Sequence, residues 1–411
     1  MTPEFKGFLL LSVIKMLVVF TVILVGVAML TLMERKVSAW MQNRRGPNRV
    51  GWAGLLQPAA DGLKNILKEE TFPAQANLGL FLMAPMIAFI PALMLSAVIP
   101  VASPLPVNFE FTLPLLGTFR HSGAMPMVVA DLPIGFLFVL AISSLGIYGI
   151  ALAGWSSNSK YALLGGLRAS AQMVSYEVAL GLSLIPLLLL TGNVRFSAII
   201  AAQQDGLWFV LPLFISFFLF LVSGFAELNR LPFDMPEAES ELTAGYHTEY
   251  SAMKFSMFFI AEYANIVTIS AMTATLFFGG WDLPFTSWDE TPGVAQTLVT
   301  GLMFFLKTFF FIFFVMWIRW TLPRFRYDQL MSLGWKFMIP VALGYLVITT
   351  AAIWGIDHGI GITSVRLKMG ILFGLNVALA WLLFWVVDSG RIVSGSYRKT
   401  AVSASVAGGE G

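Results

Sequence analysis

The 411-residue sequence contains no cysteine and little charge. Without cysteine, the chain has no disulfide framework, no thiolate zinc site, no cysteine ligands for an iron–sulfur cluster and no cysteine nucleophile. The three histidines, His121, His247 and His358, all lie in predicted loops, which excludes two haem ligands facing each other inside a bilayer. No Walker motif and no complete dinucleotide-binding motif is present. Any redox centre that this protein serves must therefore lie in another subunit.

The sequence is rich instead in long apolar segments. Hydrophobic residues make up 57% of the chain, charged residues make up 12%, and the mean hydropathy is +0.80. This balance is typical of polytopic membrane proteins. Apolar segments of about 20 residues, the length needed to cross a bilayer, predict nine transmembrane helices. They lie near residues 7–33, 78–100, 131–154, 169–190, 207–225, 253–279, 299–320, 338–356 and 367–387.

The distribution of basic residues predicts how these helices are oriented. Lys and Arg concentrate in the cytoplasmic loops of membrane proteins. Of the 25 in this chain, 18 lie in one set of alternate loops and the C-terminal tail, a set that includes loops 34–77 and 226–254. The N-terminus is therefore expected outside the cell. We predict an all-α polytopic membrane protein with a single transmembrane domain over residues 1–387 and a flexible tail, 388–411.

The first cytoplasmic loop, 34–77, predicts a helix that lies in the membrane interface. Its apolar residues recur at helical spacing between Leu55 and Leu67, and polar side chains take the other face. Packing of this helix on a partner subunit is a compatible interpretation. Basic side chains precede the helix, and others alternate with aromatic residues after the seventh transmembrane segment. They are expected to anchor the chain to lipid or to dock a partner: Arg44, Arg45, Arg49, Arg319, Arg324 and Arg326.

The most distinctive stretch is the polar insert at residues 225–254. It carries six carboxylates against two basic residues, in a chain with few charges elsewhere. Pro236 suits the first position of a helix, on which Glu237 and Glu241 share one face. Spacing alone leaves two interpretations open: an acidic first turn on a solvated loop, or a carboxylate cluster that binds and passes protons. The carboxylates are Glu227, Asp234, Glu237, Glu239, Glu241 and Glu249.

Two further carboxylates are predicted inside the apolar part of the membrane. Glu177 lies nine positions past Arg168, and Glu262 lies nine positions past Met253, near the start of the sixth helix. At 1.5 Å per residue both lie roughly 14 Å deep, near the middle of a hydrocarbon core about 30 Å thick. Ionisable groups at that depth are costly and usually face an interior cavity with a partner. The matched depth favours a proton path over two tolerated structural residues.

Four long motifs carry a resemblance to one family of membrane proteins. They read ERKVSAWMQNRRGPNRVGWAGLLQPAADGLK, GWSSNSKYALLGGLRASAQMVSYE, ELNRLPFDMPEAESELTAGYHTEYSAMKF and LPRFRYDQLMSLGWK. The resemblance runs in order from about residue 15 to residue 356. On these motifs the chain is identified as a member of the NuoH family, also called NADH dehydrogenase subunit 1. This family supplies the quinone-site membrane subunit of respiratory complex I, the NADH:quinone oxidoreductase.

The resemblance implies that this chain is one subunit of a proton-translocating enzyme, with no catalytic residue or metal of its own. Quinone is the implied substrate, and NADH, FMN and the iron–sulfur clusters are expected in partner subunits. The bundle and soluble iron–sulfur subunits would enclose the quinone chamber, whose headgroup partners, a Tyr and a His, are expected on a soluble neighbour. By motif match, Arg35 and Asp61 line that chamber. An acidic path toward antiporter-like membrane subunits is implied through Glu177, Glu227, Glu237, Glu239, Glu241 and Glu262.

The resemblance also implies the bacterial inner membrane as the location, and the sequence departs from the family pattern at two places. Many members end after eight helices, whereas a ninth helix and a polar tail are predicted here. Some members carry a further acid in the third helix, where this chain has Ser143 and Ser144. The proton route in that region is expected to use hydroxyls, water or Asp131.

Three other functions fit the sequence less well. The nearest is the homologous subunit of a membrane-bound hydrogenase or similar ferredoxin-linked complex, which serves no quinone and differs in its soluble partners. A free-standing proton or cation transporter is disfavoured because the sequence has no clear internal repeat and its distinctive motifs concentrate in cytoplasmic loops. A passive membrane anchor leaves the matched buried acids, Glu177 and Glu262, unexplained.

Overall fold

A computed structural model describes residues 2–113, 117–236, 243–284, 286, 288–360 and 364–388. Within this part of the chain, eight helices are long and apolar enough to cross a membrane, and a ninth apolar helix is shorter. The predicted fold class, an all-α polytopic membrane protein, is confirmed. Three residues of the predicted acidic path, Glu237, Glu239 and Glu241, lie outside the described residues.

Twelve α-helices are numbered here in chain order over the described residues. They are α1 Pro3–Met41, α2 Gln57–Leu67, α3 Leu78–Met94, α4 Gly135–Ser156, α5 Lys160–Thr191, α6 Phe196–Asp205, α7 Phe214–Glu227, α8 Ala252–Phe277, α9 Val294–Thr321, α10 Tyr327–Leu333, α11 Ile339–Trp354 and α12 Val365–Asp388. Two π-helical turns, Gly334–Met338 and Gly355–Ile360, flank α11. Helices α10 and α11 and these two turns together form one apolar span, Tyr327–Gly359.

The fifth predicted transmembrane segment, 207–225, is divided by a turn. Regular helix begins only at Phe214, after an irregular stretch that contains Pro212. Gln203 holds this stretch in place because its Oε1 accepts hydrogen bonds from the backbone N–H groups of Phe209 at 3.2 Å and Gly279 at 3.0 Å. Hydropathy did not reveal the break, since the residues of the turn are as apolar as those of the helix.

A β-hairpin, which the sequence analysis did not predict, lies between α3 and α4. Its strands pair antiparallel, and the hairpin packs on α1 and α9. Lys15 of α1 binds the end of the hairpin, because its Nζ donates a hydrogen bond to the carbonyl of Val128 at 2.9 Å. Polar and apolar residues alternate over 108–112, a pattern that indicates a β-strand and could have revealed the hairpin. The strands are β1, Ala102–Leu113, and β2, Gly117–Met127.

The bundle buries one face of each helix and leaves apolar side chains on its outer surface. Tyr176 of α5, Phe220 of α7 and Phe277 of α8 are fully buried. Phe310 and Phe384, by contrast, are exposed to the surroundings. Soluble monomers rarely expose large contiguous apolar patches, whereas hydrocarbon solvates such side chains well. The exposed surface is therefore that of a protein embedded in lipid.

A buried amide of α12, the last described helix, joins this helix to the bundle. Asn376 is 1% exposed. Its Nδ2 donates to the carbonyl of Pro212 at 2.6 Å, and its Oδ1 accepts from the hydroxyl of Tyr345 at 2.9 Å. The helix therefore packs at the turn that shortens α7.

Replacing Asn376 by Leu is expected to loosen α12. The substitution removes the acceptor of the Tyr345 hydroxyl and a donor to the Pro212 carbonyl, and each hydrogen-bonding group left unsatisfied inside the protein costs about 1–3 kcal/mol. Limited proteolysis of the purified protein should release the C-terminal segment faster than in wild type. Val377→Leu is the control, because Val377 is 54% exposed on the same helix. Equal release rates for the two variants would contradict this role of Asn376.

Candidate functional site

A buried cluster of charged side chains lies where α1, α8, α9 and the start of the polar insert meet. Arg230, only 2% exposed, lies between two carboxylates. Its Nη1 is 3.7 Å from Oε1 of Glu34, and its Nη2 is 3.2 Å from Oε2 of Glu262. Arg319 also pairs with Glu34, whose other oxygen accepts a hydrogen bond from Tyr263. The negative charges of two carboxylates are therefore balanced by the positive charges of two guanidinium groups inside the protein.

Local structure explains how Arg230 reaches this position. Helix α7 ends at Glu227, and Asn229 adopts a left-handed backbone with φ of 51°, a conformation that Asn tolerates well. The chain thereby turns back toward the bundle. The guanidinium of Arg230 then lies over the ring of Tyr263, 4.5 Å from the ring centre. A cation over an aromatic face is stabilised by the charge distribution of the ring.

Glu177 of α5 and Glu227 of α7 form a second acidic pair, beside serine hydroxyls of α4. Ser144 donates a hydrogen bond to Oε1 of Glu177. Ser143 donates to the backbone carbonyl of Leu140 at 3.0 Å and lies beside Glu227. The carboxylates of Glu177 and Glu227 are close enough for their charges to interact. These serines occupy the region where some members of the resembled family carry an acid. Each of the two carboxylates therefore has a hydroxyl group of α4 beside it.

Asp131, the other group considered for this region, lies elsewhere. It accepts a hydrogen bond from Ser197 at 3.1 Å, and its carboxylate is 3.7 Å from the guanidinium of Arg195. Both contacts are at the opposite end of the bundle from the polar insert. The geometry thus favours the hydroxyls of Ser143 and Ser144 over Asp131.

A small cavity joins the charged cluster to the second acidic pair. Its volume is about 40 Å³, and Glu227, Glu262, Ser143 and Asn265 are among its lining residues. A cavity of this volume has room for about three water molecules. The buried Oδ1 of Asn265 has no hydrogen-bond partner among the described residues, so the wall offers a free acceptor. Glu262 and Glu227 thus line one cavity, and Glu177 lies close to Glu227. We call these three carboxylates, with the cavity and the two serines, the polar line.

The described ends of the polar insert fold against this line. Gln172, which is fully buried, donates through Nε2 to the carbonyls of Ala226 at 2.8 Å and Phe233 at 2.7 Å. Arg324 pairs with Asp234 at 2.8 Å. The first residues of the insert are therefore part of the bundle and not a solvated loop.

The two residues assigned to the quinone chamber lie together. Nη1 of Arg35 is 2.6 Å from Oδ2 of Asp61, and Gln57 donates to the other oxygen of Asp61 at 3.0 Å. The pair joins the end of α1 to α2 and is partly exposed. Because Arg35 follows Glu34 in the chain, the pair adjoins the buried charged cluster.

The six basic residues expected to dock a partner or anchor lipid fall into two groups. Arg44, Arg45, Arg49 and Arg326 are exposed, and their docking role stays a prediction. Arg319 and Arg324, by contrast, have acidic partners within this chain. Those partners are 285 and 90 positions away in sequence, so local patterns could not reveal them.

Sequence reasoning also did not single out Glu34, Arg230 or Tyr263. The available signal for Arg230 was its position as one of only two basic residues in the acidic insert. Among the residues that the structure describes, no group of three or more His, Asp or Glu side chains is placed to hold a metal ion.

Comparison with known proteins identifies the family. Residues 14–350 match the family described as NADH dehydrogenase. An NADH-quinone oxidoreductase H subunit of Koribacter versatilis, numbered 2, is 51% identical over 347 residues, 83% of this chain and 96% of that protein. The NADH-quinone oxidoreductase H subunit of Leptospira biflexa is 49% identical over 344 residues, covering 83% and 94% of the two chains.

A relative from a eukaryote agrees with these two. NADH-ubiquinone oxidoreductase chain 1 of Chondrus crispus is 48% identical over 339 residues, 82% of this chain and 95% of that protein. Helix α12 lies beyond the residues that match the family. The family predicted from the four motifs is confirmed: the chain belongs to the NADH dehydrogenase family, which includes the H subunits of NADH-quinone oxidoreductase.

Proposed function

We propose that this chain is the membrane subunit of a proton-pumping NADH:quinone oxidoreductase that couples quinone reduction to proton translocation. Family membership supports the assembly, because the relatives are named as subunits of that enzyme. The observation that carries the proposal is the polar line: Glu262 and Glu227 share one cavity, and Glu177, hydrogen-bonded by Ser144, lies close to Glu227. NADH, FMN and the iron–sulfur clusters belong, in this proposal, to soluble partner subunits.

The quinone entrance is proposed beside α2. This helix packs on α1 and α8, the helices that carry Glu34 and Glu262. Its apolar side chains, such as Leu63 and Leu67, are exposed and suited to contact an isoprenoid tail. The Arg35–Asp61 ion pair offers polar groups at the same place. A quinone that enters here would approach the buried charged cluster, and the soluble partners would complete the tunnel.

The proposed coupling step is electrostatic. Quinone reduction takes up two electrons and two protons, so the charge balance near the polar insert changes during turnover. A change of charge within a few ångströms alters the proton affinity of a carboxyl group by one or more pKa units. Glu237, Glu239 and Glu241 are proposed to receive this change first. Arg230 lies between Glu34 and Glu262 and is proposed to transmit it to the polar line.

Protons are then proposed to move along the line of polar groups. Water in the cavity would connect Glu262 with Glu227, since both line it. The hydroxyls of Ser143 and Ser144 would pass protons between Glu227 and Glu177. Each hydroxyl would accept a proton from one neighbour and donate its own hydrogen to the next. From Glu177 the path would continue into neighbouring antiporter-like membrane subunits.

Orientation and location follow from the same proposal. The excess of Lys and Arg on one side supports an external N-terminus and a cytoplasmic polar insert. A single transmembrane domain, 1–387, would lie in the bacterial inner membrane. The cytoplasmic side would then present Arg44, Arg45 and Arg49 to soluble partners or anionic lipid.

The proposal is tested on the intact complex, purified from its native membrane through a tag on this chain. We expect NADH oxidation that depends on added quinone and is blocked by quinone-site inhibitors. Soluble iron–sulfur subunits should co-purify with the tagged chain. An assembly that evolves hydrogen and ignores quinone would favour the alternative, a subunit of a membrane-bound hydrogenase or ferredoxin-linked complex. The quinone entrance would then be rejected, although the polar line could still conduct protons.

A further inference from the structure

Another buried acidic pair, Asp282 and Asp289, lies beyond the C-terminal end of α8, outside the polar line. Asp282 and Asp289 follow the helix and are 5% and 1% exposed. Glu262 lies in the first half of α8, which ends at Phe277, so roughly four turns of helix separate the two acidic sites. Nothing in the function proposed above uses this pair.

The surroundings of Asp282 provide one positive charge. Trp208 donates through Nε1 to Oδ2 of Asp282 at 2.7 Å. Lys307 of α9 donates to the backbone carbonyls of Phe278, Gly280 and Asp282 at 2.8, 3.0 and 2.6 Å, which uses all three ammonium hydrogens. Its Nζ also lies 4.3 Å from the centre of the Trp208 ring. Lys307 therefore supplies charge to the pair but no direct hydrogen bond.

The surroundings of Asp289 leave one oxygen unsatisfied. Its Oδ2 accepts from the backbone N–H of Leu283 at 3.1 Å and from Nε2 of Gln204 at 3.5 Å. Its Oδ1 is buried and has no hydrogen-bond partner among the described residues. Asp282 and Asp289 lie within hydrogen-bonding reach of each other. Two carboxyl groups hydrogen-bond only when one of them carries a proton.

We propose that Asp282 and Asp289 bind one proton between them and form a proton-binding site at this end of the bundle. With the proton bound, the pair carries one negative charge, Lys307 balances it, and the buried oxygen of Asp289 gains a partner. Without the proton, two negative charges share a buried site with one cation. Like charges held together in this way disfavour ionisation of the second group.

The electrostatics of the site give the pH range. Burial raises the pKa of Asp282, and the negative charge of Asp289 adds to this rise. The hydrogen bond from Trp208 and the positive charge of Lys307 act in the opposite direction, and the resulting pKa is about 6. Gln204, Trp208 and Lys307 face the pair from α6, the turn before α7 and α9, and only Lys307 is charged. Because the folded pKa lies above the ordinary value, the protonated arrangement is stable at acidic pH and is lost as pH rises through about 6.

Hydrogen exchange on the intact complex tests this proposal. Amide exchange in peptides that cover residues 279–293 is measured at about pH 5 and about pH 8, with rates corrected for intrinsic pH dependence, on either side of the titration. The loop of the wild-type chain should be more protected at the acidic pH. Between the ordinary carboxyl pKa of 3.8 and the folded pKa of about 6, protection should fall by up to about tenfold per pH unit. Above about pH 6 it should level off, because the folded and the open loop are then both deprotonated.

Asparagine variants separate a shared proton from a purely structural contact. In Asp289→Asn the side-chain amide donates permanently in place of the proton, so the loop should be equally protected at both pH values. Asp282→Asn should behave in the same way, which keeps the test decisive if one variant fails to assemble. Asp131→Asn is the matched control at the same end of the bundle, where Asp131 pairs with Arg195, and it should keep the wild-type pH response.

Two results would overturn the proposal. One is wild-type protection that is equal at both pH values, which would indicate that water and not a proton satisfies Asp289. The other is a wild-type pH response that persists in Asp282→Asn and Asp289→Asn. Neither result depends on quinone reduction, so this test is independent of the function proposed above.

Discussion

Replacing Arg230 by Met is expected to prevent stable assembly of this subunit. Arg230 is 2% exposed and lies 3.7 Å from Glu34 and 3.2 Å from Glu262. Without it, two carboxylates remain buried with Arg319 as the neighbouring cation. Removing one partner of a buried ion pair costs about 3–5 kcal/mol, because the remaining charge is left uncompensated. That is a large part of the roughly 5–15 kcal/mol that stabilises a typical folded protein.

The measurements are the amount of tagged chain recovered in the complex and the unfolding temperature of the material that assembles. Arg366→Met is the control, because Arg366 is an exposed arginine of α12 to which no docking role is assigned. Arg230→Lys should give an intermediate loss, since an ammonium keeps the charge but lacks the planar fork that reaches both carboxylates. Normal recovery and unfolding of Arg230→Met would show that Glu34 and Glu262 do not need this cation.

A double variant identifies the cause of the loss. If the uncompensated charge is responsible, Glu262→Gln in the Arg230→Met background should restore part of the assembly. The two substitutions would then be strongly non-additive, as expected for residues in contact. If lost packing over Tyr263 is responsible, the second substitution should restore nothing.

The positions of the helices could be predicted because lipid allows few solutions. In hydrocarbon every backbone N–H and C=O must find a partner within the chain, so an apolar run long enough to cross becomes a helix. The segment predicted at 253–279 is observed as Ala252–Phe277. The turn before α7 could not be predicted in this way. It depends on Gln203, whose bond to Gly279 joins two stretches far apart in sequence.

The candidate site shows the same division between local and distant information. Glu177 and Glu262 could be singled out because a carboxylate within an apolar run is visible locally. The role of Arg230 could not, since its partners come from α1 and α8 and meet only in the folded bundle. Arg319 was interpreted as an interfacial anchor because its partner, Glu34, is likewise distant in sequence. The motifs identified the family, but only the structure relates Ser144 to Glu177.

Replacing Glu177 by Gln is expected to lower quinone-dependent NADH oxidation, and the proton pumping coupled to it, by about a hundredfold. Glutamine preserves the size of the side chain and an acceptor for the Ser144 hydroxyl, but it does not bind and release a proton. Proton transfer by a positioned side chain is typically worth a factor of this order or more. Proton uptake and quinone reduction are measured together on the complex reconstituted in vesicles.

Two controls separate proton transfer from assembly. NADH oxidation with a soluble artificial electron acceptor bypasses the membrane subunits and should stay at the wild-type rate. Glu69→Gln, which changes an exposed acid in the first cytoplasmic loop, should pump normally. A loss of the artificial-acceptor reaction in Glu177→Gln would indicate a structural defect.

Glu262→Gln extends the test along the line. If Glu262 and Glu177 act in series, either substitution alone blocks the same route, and the double variant should be no slower than the slower single variant. Losses that multiply in the double variant would indicate two independent routes. Normal pumping in both single variants would remove both residues from the path. The cavity and the serine hydroxyls would then be features of packing, because Glu227 alone would have no carboxylate on either side with which to exchange a proton.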